Sequence, residues 1–153
     1  TIPSVGGYVA ANKDIITYLR HASRAYIFSA ALPPAQAAAA NEAFKVILDE
    51  PERIVKLNLN TKQFIGGLKS MGFDTMLTET AIVPVLCGDD MTAFAITREC
   101  QHNDVFVLPV VSPAVPEGLA RLRATVTAAH DPSEIERAMD VIGEAGKKLG
   151  IIK

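Results

Sequence analysis

The chain contains no tryptophan, and only two cysteines and three histidines among 153 residues. Cys87 and Cys100 lack CxxC spacing, so neither a zinc site nor a disulfide framework is indicated. A reduced, cytoplasmic setting is the expectation. His21, His102 and His130 stand alone, with no metal partner at i+4 and no serine elbow, which argues against histidine catalysis within the chain. Charge is also scarce: charged residues make up 21% and the net charge is −2. Without a basic run interleaved with aromatics, nucleic acid is not an expected partner. No apolar stretch approaches the ~18–20 residues of a membrane span. Nor does methionine stand first. Thr1 to Ala10 opens on loop punctuation and runs into a strand-like segment, which reads as a cut made inside a domain.

Hydrophobic residues make up 49%, enough for a substantial core at this length. Gly7–Ala10 reads as a short strand, Lys13 to Ser23 as a helix behind Asn12, and Ala25–Ser29 as a short extended piece. Pro33-Pro34 precedes a helix over 35–49. Its first half, Ala35–Asn41, is uncharged on every face, as expected of a helix packed on several sides. Pro51 suits the start of the next helix, in which Ile54, Leu57, Phe64, Leu68 and Met71 form an amphipathic stripe ending at Gly72. Thr80–Leu86 reads as a strand with a proline, hence at an edge or a bulge. Asp89 and Asp90 read as the cap and first turn of a helix to about Gln101, with Phe94, Ala95 and Ile96 inward. A strand over 105–111 follows. Asp131-Pro132-Ser133-Glu134 has the form of a capping box before a last helix carrying Ile135, Met139, Ile142, Ala145 and Leu149. The order predicts a small α+β domain with a mostly antiparallel sheet covered by helices on one face.

The most informative stretch is Arg121 to Thr127. Leu122, Ala124 and Val126 alternate with Arg121, Arg123, Thr125 and Thr127, the period of a strand. Two guanidinium groups on one face admit two readings: the solvated face of an edge strand, or a site for a carboxylate or phosphate. Ser29 likewise admits two. It can cap a loop, or lend a hydroxyl to a phosphate near the start of the Ala-rich helix. Cys87 reads as core. Gly143 to Lys148 has the wrong spacing for a phosphate loop.

Five segments together resemble the C-terminal part of the α-oxoamine synthases, enzymes of the pyridoxal-phosphate transferase fold. They are Gly6-Gly7-Tyr8-Val9; Tyr26 to Pro34; Ile82-Val83-Pro84-Val85 with Gly88-Asp89; Val115 to Gly118; and Ala120 to Arg123 with Thr127 to His130. They occur in the family's order and cover essentially the whole chain. The resemblance implies a homodimeric enzyme that uses pyridoxal 5'-phosphate to condense an amino acid with an acyl-CoA, with loss of CO2. It implies that residues 1–32 end the large cofactor-binding domain and that 33–153 form the small C-terminal domain. Arg123 would bind the amino-acid carboxylate, Ser29 would lie near the cofactor phosphate from the neighbouring subunit, and Arg121 would support the strand or loop. The Schiff-base lysine would precede Thr1, so no residue here is catalytic and the 153 residues alone should be silent. Uncharged Ala35–Asn41 would face the large domain or the dimer mate. The alternative is a non-catalytic partner subunit or interaction domain that keeps the fold.

Overall fold

The computed structural model describes residues 2–153. Thr1, before which the resemblance puts the Schiff-base lysine, lies outside them. The chain divides into two compact units at Pro51/Glu52.

The first unit contains α1 (Lys13–Ala22), α2 (Arg24–Ile27) and α3 (Pro34–Asp49), none with a buried residue. Asn12 caps α1, its side chain accepting from the Ile15 N–H at 3.0 Å. The strand expected over Gly7–Ala10 does not form. These residues are exposed, and a strand needs a paired neighbour to hold it. The extended piece expected over Ala25–Ser29 is also corrected. Ser23 acts as an N-cap for the Tyr26 N–H, at 3.3 Å, and turns Arg24–Ile27 into a single helical turn. Helix α3 matches its expected span, yet no side chain on it is buried within the unit. Ser4 ties the entry segment to α3, its hydroxyl 2.9 Å from the Gln36 carbonyl oxygen, and Tyr8 meets Phe44 edge to face.

The second unit holds the core. It runs α4 (Glu52–Ser70), β1 (Ile82–Gly88), α5 (Asp90–His102), β2 (Leu108–Val110), β3 (Ala120–Thr125) and α6 (Pro132–Lys148). The sheet order is β1-β3-β2 and both pairings are antiparallel. This is the expected mixed α/β class. The reading of the Arg121 strand as an edge is corrected, because β3 is central, a consequence of long-range pairing that its own residues do not encode. Pro84 lies on the outer strand β1, and the register shifts between Leu86 and Gly88, in keeping with a proline at an edge near a bulge.

Val83, Val85, Leu122, Ala124 and Val126 bury one sheet face against Phe64 and Leu68 of α4, Ile96 and Cys100 of α5, and Ile135, Met139 and Ile142 of α6. Of the α4 stripe, Phe64 and Leu68 reach the core, whereas Ile54 stays exposed. Gly72, at φ +100°, ends the helix in the left-handed region, and the Phe73 N–H then returns to the Leu68 carbonyl at 3.1 Å. The inward face of α5 is Ala93, Ile96, Thr97 and Cys100, at helical spacing. Phe94 falls one position off that face and is half exposed, contrary to the sequence expectation. The capping box of α6 forms, with the Asp131 N–H donating to Glu134 Oε2 at 2.8 Å.

Candidate functional site

Burying Leu122 and Ala124 forces the alternate residues of β3 through to the opposite sheet face. There Arg123 lies opposite Pro84 of β1 and Leu108 of β2, while Arg121 lies opposite Leu86 and Val110. The two arginines, alike in sequence, differ in their bonding. Arg121 is half-buried and engaged: Nε donates to the Leu119 carbonyl at 2.9 Å, and Nη1 lies 3.0 Å from Met76 Sδ. Met76 is fixed in turn at φ +56°, its N–H donating to Asp74 Oδ1 at 2.7 Å. Arg123 is exposed and has no hydrogen bond or ion pair among the described residues. An unpaired guanidinium keeps its planar fork of donors open to an incoming carboxylate or phosphate.

Asn60 is the residue that the sequence reading passed over. It is 3% exposed, and its Nδ2 donates to the carbonyls of Thr127 at 3.0 Å and His130 at 2.9 Å. It thereby clamps the turn that follows β3 onto α4. Its signal was a polar side chain set between Leu57 and Phe64 on an otherwise apolar stripe.

Ser29 lies in a bend after α2, exposed and without a hydrogen bond among the described residues. Its hydroxyl is therefore free to meet a phosphate oxygen. It belongs to the first unit and Arg123 to the second. The other candidates have structural roles. Asp89 caps α5, accepting from the Thr92 N–H at 2.9 Å and hydroxyl at 2.7 Å, and these bonds hold its carboxyl below the usual range. Cys87 is half-buried and packs against the core, and Cys100 is fully buried; burial pushes each thiol up to about 11. His130 Nδ1 accepts from the Thr127 N–H at 3.3 Å. A cavity of about 280 Å³ near Val107, Ala124 and Ile135 has its one nearby arginine, Arg137, paired with Asp104 at 3.3 Å. No described group of three or more His, Cys, Asp or Glu could hold a metal ion. No helix of the described residues is long and apolar enough to cross a membrane.

The sequence model for "Aminotransferase class I and II" matches residues 4–142. The chain belongs to that family. Within it, the chain is homologous to 8-amino-7-oxononanoate synthase and serine palmitoyltransferase. The 8-amino-7-oxononanoate synthase of Bacillus pumilus is 40% identical over 148 residues, which is 97% of this chain and 38% of that protein. A serine palmitoyltransferase solved with PLP superposes with a TM-score of 0.86 at 32% identity, over 99% of this chain and 38% of that one. The Sphingomonas wittichii serine palmitoyltransferase gives 0.85 at 27% identity, over 99% and 39%. The chain thus spans about 38% of the length of the curated relatives it matches.

Proposed function

We propose that these residues form the C-terminal, carboxylate-binding part of a pyridoxal-phosphate-dependent α-oxoamine synthase. In this reading residues 1–32 end the large domain and 33–153 form the small one. The intact enzyme is a cytoplasmic homodimer that joins an amino acid to an acyl-CoA and releases CO2. The observation that carries the reading is the contrast on β3, where Arg121 is occupied internally and Arg123 is left free.

Pyridoxal 5'-phosphate, when bound, supplies an electron sink that makes the α-carbon of an amino acid nucleophilic. The part played by this chain is binding and orientation. Arg123 accepts the amino-acid carboxylate in its fork, fixing the direction of the bond that will be lost as CO2. Ser29 offers its hydroxyl to the cofactor phosphate across the subunit boundary. Arg121 holds the Met76 loop and the start of β3, so that Arg123 stands on a rigid strand.

The test is CoA release, followed with a thiol reagent, from the full-length chain supplied with pyridoxal phosphate, an acyl-CoA and glycine, alanine or serine in turn. Release with one of them supports the reading. No release from any pairing, in a protein that still folds, moves the function to a non-catalytic partner subunit.

A further inference from the structure

We propose that Leu108 and Pro84 are positioning residues for Arg123: they flank it from both neighbouring strands and deny it an internal counter-ion. The inference rests on the assignment of Arg123 to the amino-acid carboxylate and goes beyond it.

The register supplies the argument. Residues directly opposite across antiparallel strands project on the same face, with Cβ atoms roughly 4.5–5.5 Å apart. Arg123 therefore has Leu108 on one side and Pro84 on the other. The same face continues with Ile82 and Leu86 on β1, Val110 on β2, and Arg121 and Thr125 on β3. No strand residue on it is acidic. Cross-strand positions beside an exposed arginine are where a glutamate would ordinarily be favourable, because opposite charges there attract. Here both are aliphatic.

That choice has a chemical consequence. A guanidinium that already holds a carboxylate must release it before accepting another, and the internal carboxylate also repels the incoming one. Aliphatic neighbours impose neither cost and cover the methylene stem of Arg123 while its head stays free. Leu108 is about half exposed and lies on a short outer strand, so its side chain is not required by the core.

The test is made on the full-length chain with Leu108→Glu, Leu108→Gln and Arg123→Gln. Glutamate at 108 would pair with Arg123, and glutamine is its neutral match in size. The expectation is that Leu108→Glu raises the KM for the amino acid by up to about fivefold, the most a cross-strand ion pair sustains. Leu108→Gln, which brings no charge, should raise it less than Leu108→Glu does, and the KM for acyl-CoA should not move in either. A second readout needs no turnover. Phenylglyoxal modification, followed by peptide mass spectrometry, should label Arg123 faster than Arg121, and Leu108→Glu should slow the labelling of Arg123 alone. Unchanged amino-acid KM and unchanged labelling in Leu108→Glu would overturn the proposal, provided Arg123→Gln still weakens amino-acid binding. An unchanged amino-acid KM in Arg123→Gln would instead remove the carboxylate assignment beneath it. Should Leu108→Glu fail to fold, Pro84→Glu makes the same test from the other edge strand.

Discussion

Arg123→Ala in the full-length chain is expected to weaken amino-acid binding by about 2–5 kcal/mol, as when one partner of a close charge pair is truncated. Spectroscopic titration with the amino acid would measure it, and wild-type affinity would remove Arg123 from the site. Arg121→Ala should act elsewhere: it frees the Leu119 carbonyl and Met76, so its effect should appear in the melting temperature before it appears in affinity. The two thiols give a pH dependence of definite sign. Cys87 and Cys100 are pushed from 9.0 up to about 11, so the unfolded chain loses these protons first. Stability should therefore fall as pH rises from about 9 toward 11, and be indifferent to these groups near neutrality. Denaturant midpoints across that range, compared with those of Cys87→Ala, would check it. Asn60→Ala leaves two carbonyls of the Thr127–His130 turn without their donor and should cost about 1–3 kcal/mol.

Helices α4 and α6 meet closely at Gly67, where an added Cβ would collide with Met139. Met139 is flexible and can shift its sulfur end, so Gly67→Ala is expected to change stability by no more than about 1 kcal/mol, the displacement of Met139 offsetting the better helix propensity of alanine. A chemical melt decides between the two effects. At this scale the sequence was readable wherever the period came from burial. Leu122, Ala124 and Val126 on β3, Phe64 and Leu68 on α4, and Ile135, Met139 and Ile142 on α6 all lie where their spacing put them. Reading failed where something other than the local period decided. Phe94 is large and apolar, but the α5 face is fixed by Ala93, Ile96 and Cys100. Ala25–Ser29 carries strand-forming residues, but the Ser23 cap took them into a turn. For the candidate site, the residue types were visible in the alternation of β3. What was not visible was which arginine is spoken for, since that depends on Met76, 45 residues away in the chain.

The two units differ in what they bury. Residues 52–153 contain every buried side chain among the described residues, and 2–51 contain none. Limited proteolysis of the 153-residue chain should therefore cut first within 2–51 and leave a resistant fragment beginning near Glu52. Early cuts inside α4–α6 would contradict this. In the first unit Tyr8, Tyr18, Phe28 and Leu48 are each at least 70% exposed. The second unit is distinguished by the β1 border of its sheet. On the side away from β3, the Ile82 N–H turns to Thr80 Oγ1 at 3.4 Å, Pro84 has no N–H, and the Leu86 N–H is taken by the Asp74 carbonyl at 2.9 Å. The Ile82 carbonyl on that border accepts from Thr78 at 2.9 Å. A fourth strand would find no regular run of donors there, which disfavours pairing along this border. The arginine-bearing face can thus stay open to small molecules on a sheet that does not invite its own copies to extend it from β1.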